Sequence, residues 1–117
     1  MGITLQDVAT QANLRVEDLN SEVNPHDQRL LLDLAKFCIH WKLIGKRLNL
    51  TDAEIAAVDV DNRTEEEKRV GMLEKWKGKF AFKATYLVFI EAILDCEQAQ
   101  QAIEACRTIA AGEPSQE

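Results

Sequence analysis

Apolar side chains recur at helical spacing through nearly the whole chain, and the helix starts are marked by threonines with an acid three residues on. Thr51-x-x-Glu54 and Thr64-x-x-Glu67 are capping boxes, and Thr4-x-x-Asp7 resembles one. In such a box the hydroxyl accepts from the third helical N–H, and the acid accepts from the N–H of the cap. A chain punctuated this way must fold as short helices packed on one another, because each helix alone is marginal in water. Only 5 Gly and 2 Pro are available for turns, too few for a many-stranded β fold. The 117 residues suit one domain, and 46% apolar with 29% charged residues is an ordinary globular mixture.

Residues 4–23 place Leu5, Ala9, Ala12, Val16, Leu19 and Val23 at steps of four and three, a short seam. The seam predicts one amphipathic helix folded back on the main body. An extended first helix, or part of a preceding linker, are the alternatives. Asn24-Pro25 then offers a cap and a first helical position for a new helix carrying Leu30, Leu31, Leu34, Ala35 and Cys38. A helix over 40–48 turns Trp41, Ile44 and Leu48 inward, and Asn49-Leu50-Thr51 makes the turn. The next helix carries Ile55 and Val58, with a polar loop expected over 59–63. Val70, Leu73 and Trp76 follow on a helix expected to end near Gly78. A helix over 82–94, with Ala84, Leu87, Val88, Ile90, Ile93 and Leu94, is apolar on more than one face and should be the most buried. Asp95 is expected to cap the last helix, striped by Ala99, Ile103, Cys106 and Ala110, before a disordered tail over 112–117.

From Leu30 onward the order of signals resembles a death domain. The residues are Trp41-Lys42-Leu43-Ile44-Gly45-Lys46-Arg47-Leu48, then Leu50-Thr51-Asp52-Ala53-Glu54-Ile55 with Val58. After an acidic loop come Leu73-Glu74-Lys75-Trp76, and then Ala84-Thr85 leading into Leu87. The tryptophan pair separates the chain from caspase-recruitment and death-effector relatives. The resemblance implies an all-α fold: a six-helix antiparallel bundle over 25–111, Greek-key-like, with an additional N-terminal helix in an extension over 1–24. The core expected from pattern and resemblance is Leu34, Trp41, Ile44, Leu48, Ile55, Val58, Leu73, Trp76, Leu87, Ile90, Leu94 and Ile103. It further implies a cytoplasmic, non-catalytic adaptor module of apoptotic or innate-immune signalling, part of or ending a larger protein. Its partners would be other death domains, self or heterotypic, assembled into oligomers or a helical filament.

Charge supplies the candidate binding chemistry. The formal net charge is -6. Residues 1–35 and 84–117 are net acidic, 36–47 hold only bases, 52–67 are strongly acidic and 68–83 strongly basic. Alternating blocks give one body unlike patches that can dock head-to-tail. The resemblance implies that Lys42, Lys46, Arg47, Asp52 and Glu54 meet Asp33, Lys36, Glu66 and Arg69 of a neighbour. It likewise implies that Lys75, Lys77, Lys79 and Lys83 meet Asp95 and Glu97. Against this stands the ordinary role of charge runs as solvated faces, whose exposed pairs contribute about 0–1 kcal/mol each.

No catalysis, cofactor or metal is expected. His26 and His40 have no partner at ligand or triad spacing. Cys38, Cys96 and Cys106 lie on or beside apolar stripes, where buried thiols are the rule. No apolar run reaches the ~18 residues of a membrane span, and Gln6 stands where a myristoylation motif needs Ser or Thr. Net acidity disfavours nucleic acid, so a helix-turn-helix binder is the weaker alternative. The remaining alternative is homodimerisation through the N-terminal seam.

Overall fold

The computed structural model describes residues 3–21, 23, 28–96 and 98–112; Gln28 and Gly112 are described in their backbone alone. Among these residues the chain is all-helical, with no strand. The helices are α1 (Leu5–Gln11), α2 (Gln28–Ala35), α3 (Trp41–Arg47), α4 (Asp52–Asp61), α5 (Glu65–Phe80), α6 (Tyr86–Asp95) and α7 (Ala99–Gly112). Two 3₁₀ turns, Val16–Asn20 and Ala81–Lys83, complete the set. The expected start at Asn24-Pro25, together with His26, lies outside the described residues, as does most of the expected tail.

Thr4, Thr51 and Thr64 each close a full capping box on α1, α4 and α5. In α4, Glu54 N–H donates to Thr51 Oγ1 at 3.1 Å and Thr51 N–H donates to Glu54 Oε1 at 2.8 Å. Two asparagines do the matching work at helix ends. Asn13 (φ 62) and Asn49 (φ 72) adopt the left-handed conformation just past α1 and α3. Leu14 N–H then reaches back to Ala9 O at 2.8 Å, and Leu50 N–H to Gly45 O at 3.0 Å. Both are Schellman closures, with asparagine standing where glycine is usual.

The first closure corrects the single helix expected over 4–23. The chain stops at Gln11, turns at Asn13 and resumes as the 3₁₀ turn. The seam's inward residues Ala9, Ala12, Leu19 and Val23 are buried all the same, joined by Val8. They pack on α6 and α7, so the segment folds back as expected, although in two pieces. Two backbone bonds fasten it: Val23 N–H to Ala84 O at 2.9 Å and Tyr86 N–H to Ser21 O at 3.1 Å. The radius of gyration, 13.5 Å, is close to the roughly 13.4 Å of a compact chain this long, as a docked segment requires.

Other boundaries shift for local reasons. α4 runs on to Asp61 instead of yielding to a loop at Asp59, and Asn62 Nδ2 donates back to Val58 O at 2.8 Å. α5 passes through Gly78 to Phe80; an isolated helical glycine costs only about 1 kcal/mol. α6 starts at Tyr86, capped by Thr85, whose hydroxyl accepts from Val88 N–H. Asp95 is the last residue of α6 and so does not cap α7.

The core lies where α6 and α7 pack together and where α5 meets α2, α3 and α4. Leu34, Trp41, Ile44, Leu48, Ile55, Val58, Leu73, Trp76, Ile90 and Ile103 are buried as expected. Leu87 and Leu94 are half-buried at its edge. Trp76 stands 6.3 Å from Phe89 between ring centroids, joining α5 to the buried face of α6. Gly45 allows α3 to press on α5: a Cβ there would sit 3.3 Å from Met72 Cγ.

Candidate protein-interaction surfaces

The helices that carry the charge blocks are neighbours in space, and this changes what the blocks can do. Asp59 on α4 accepts from Lys68 on α5 at 2.8 Å and from Lys42 on α3 at 3.1 Å. Lys46 pairs with Asp52 at 3.3 Å, and Lys79 with Glu54 at 2.8 Å. Lys79 also donates to Asn49 O at 3.2 Å, tying the end of α5 to the turn before α4. The acidic block on α4 is therefore laced to the basic blocks before and after it. Segregation along the sequence becomes alternation across the α3–α4–α5 surface.

The titration of these groups follows the contacts. Lys68, then Lys42, hold the Asp59 carboxyl below the usual aspartate value, and Asp59 in turn raises Lys68. Lys79 lowers Glu54, aided by the Thr51 N–H. Glu67 is lowered by the N–H groups of Arg63 and Thr64 that it accepts from.

Of the expected contact residues, Lys42, Lys46, Arg47 and Asp52 are exposed and Glu54 is half-buried. Lys42, Lys46, Asp52 and Glu54 are engaged as just described. Arg47 lies beside Cys96. Asp33 and Lys36 pair with each other at 3.4 Å. Glu66 is exposed, while Arg69 is half-buried with its Nε enclosed and without a hydrogen-bond partner among the described residues. Lys77, expected on the surface, is buried (9% exposed), its stem drawn into the body as long lysines allow. Glu97 lies outside the described residues. Lys75, Lys83 and Asp95 are exposed and form no ion pair among the described residues.

Those three residues lie near opposite ends of the longest helix. At the C-terminal end of α5, Ala81 takes φ 54, ψ -122, a conformation that side-chain-bearing residues rarely adopt. It turns the chain so that Phe82 stands 71% exposed next to Lys83. At the other end is a groove of about 780 Å³, lined by Ile39, Trp41, Leu43 and Cys96 together with His40 and the charged Lys42, Asp59, Glu65 and Lys68. Ile39 and Leu43 are 45% and 43% exposed. Sequence periodicity missed Phe82, Ile39 and Leu43, because these side chains are exposed and lie off the core-facing stripes.

Compared with known protein families, the chain matches the death domain over residues 28–110. The chain belongs to the death-domain family. Among the curated proteins and the solved structures, none matches it. Death domains are non-catalytic interaction modules. Burial pushes the Cys38 thiol up to about 12 and the Cys106 thiol up to about 11, so both stay protonated and poorly nucleophilic. Cys38 donates to Leu34 O within its own turn. Among the described residues no cluster of His, Cys, Asp and Glu is arranged to hold a metal, and no helix is long and apolar enough to cross a membrane. The matched span covers α2 to α7, and the described residues 3–21 and 23 lie before it. The inward residues of the seam are covered by α6 and α7.

Proposed function

We propose that this death domain assembles with copies of itself or with related domains through unlike charged ends. The Lys75 and Lys83 end of α5 on one copy would meet the Asp95 end of α6, with Glu97, on the next. The observation that carries this reading is that Lys75, Lys83 and Asp95 stand exposed and form no ion pair among the described residues, while most charges on α3–α5 are engaged within the fold. An exposed ion pair already made within one molecule gains little from a second partner. The second proposed contact, between Lys42, Lys46, Arg47, Asp52 and Glu54 and a neighbour's Asp33, Lys36, Glu66 and Arg69, ranks lower for that reason. Within it, Arg47 and Glu66 are the residues best supported. Residues 25–111 form the interaction unit, working in the cytoplasm in apoptotic or innate-immune signalling. Clustering of copies activates what lies downstream.

Light scattering across concentration tests the first contact. Lys83→Glu and Asp95→Lys should each weaken association at least about tenfold, and the two variants mixed should recover part of it. Association of the native chain should fall with added salt, since screening acts within ~8 Å at physiological ionic strength. Undiminished association of both charge-reversed variants would remove these residues from the interface.

A further inference from the structure

We propose that Asp59 masks Lys42 from a neighbouring copy, so that the fold's own carboxylate restrains assembly through α3. The inference rests on reading the chain as a self-associating domain whose Lys42 meets a neighbour's Glu66, and adds what regulates that contact. Lys42 is poised for a partner. Its side chain is 60% exposed, and its Nζ stands 5.7 Å from the centre of the Trp41 ring. That ring is buried, so it holds the ammonium at one place on the surface. Ile39 and Leu43 leave apolar surface half open in the same groove.

Within the fold the ammonium is already taken. Asp59 Oδ2 lies 3.1 Å from Lys42 Nζ, while its Oδ1 lies 2.8 Å from Lys68 Nζ. Lys68 is the more enclosed of the two lysines, its side chain only 19% exposed. It fixes the carboxylate, which turns its second oxygen to Lys42. Lys68 also has Glu65 at 4.0 Å, whereas Lys42 pairs with Asp59 alone among the described residues. Removing the Asp59 charge therefore frees Lys42 in particular. A neighbour's carboxylate reaches Lys42 only by displacing Asp59, an exchange of one exposed pair for another with little net gain. Two freely diffusing copies gain little from it. Copies already held together by the Lys83 and Asp95 contact meet at high effective concentration, where the exchange proceeds. The mask thus sets a threshold on assembly.

The test uses the full chain, sedimentation over a concentration series, and circular dichroism to verify helix content. Asp59→Asn keeps the shape of the side chain and removes its charge. Asp61→Asn makes the same change in net charge at an exposed acid of α4 that forms no ion pair among the described residues. Asp59→Asn should associate about three- to tenfold more tightly than the native chain, and Asp61→Asn less than about twofold more tightly. Adding Lys42→Gln to Asp59→Asn should cancel the gain, and Lys42→Gln should weaken association more in that background than in the native one. A loosened fold could not imitate this, because deleting a second partner would not restore it. Equal gains from Asp59→Asn and Asp61→Asn would reduce the effect to net charge and overturn the mask. A gain that survives Lys42→Gln also overturns it. If the native chain associates and Asp59→Asn associates no more tightly, the mask alone falls. If neither associates at any concentration, the reading beneath falls with it.

Discussion

The N-terminal segment and the α3–α4–α5 face are held to the same body by different forces. Residues 3–23 are fastened by burial: Val8, Leu19 and Val23 are almost wholly enclosed, and backbone bonds to Ala84 and Tyr86 finish the seal. The α3–α4–α5 face is fastened below by Ile44, Ile55 and Met72, but its outer layer is a lattice of lysine–carboxylate pairs. Burial is insensitive to salt and pH, whereas exposed ion pairs are weak, screened and titratable. The segment before α2 is thus a structural part of the body, held by contacts that neither salt screening nor carboxylate titration reaches.

The largest effect should come from breaking the buried side. Leu19→Ala empties an enclosed site and should cost about 2–5 kcal/mol in denaturant unfolding. A loss below about 0.5 kcal/mol would show the segment to be an appendage, and the contrast between the two regions would vanish. Deleting residues 1–23 is a poorer probe of assembly for the same reason, since it bares the apolar surface of α6 and α7 that Val8 and Leu19 cover.

Next come the two asparagine turns, one on each side of the comparison. Asn13→Ala and Asn49→Ala each place a less tolerant residue at positive φ and should cost about 1–2 kcal/mol. Asn→Gly at the same positions should be close to neutral, or stabilising. Thermal unfolding of the four variants separates backbone strain from lost side-chain contacts. Equal losses for Ala and Gly would refute the account of both turns.

The asparagines also show how far the sequence could be read. Thr51 and Thr64 announced α4 and α5 correctly because a capping box is local, with both partners within four residues. Asn49 was legible as a turn because Leu50 and Thr51 followed it with a new helix start. Asn13 was not, because the apolar seam runs straight across it: Leu19 and Val23 reach the core from a 3₁₀ turn as well as they would from a helix. Thr85 was hidden by Val88 at the position where a box has its acid. The ion pairs were illegible for a different reason. Which acid faces which lysine depends on how α3, α4 and α5 lie side by side, and no run of charge records that. Phe82 and Leu43 escaped because periodicity finds the residues that face inward, and these face out.

The smallest effect belongs to the ion-pair lattice, and pH separates it from the buried side. Asp59 and Glu54 have folded carboxyls held below their usual values by Lys68, Lys42 and Lys79. A group lowered on folding adds stability above its unfolded pKa and loses it as pH falls through the lower, folded value. Lys68 has the opposite sign: it is raised, so its contribution is complete below the ordinary lysine range and fades as pH climbs through its folded value. Stability should therefore be flat near neutrality and decline modestly below the usual carboxylate range and above the usual lysine range. Asp59→Asn should flatten part of both limbs at once, because it removes the partner that Lys68 shares with Lys42. Leu19→Ala should lower the whole curve without changing its shape. A pH profile of Asp59→Asn parallel to that of the native chain would show that the lattice adds nothing to folding and that its charges are free for a partner.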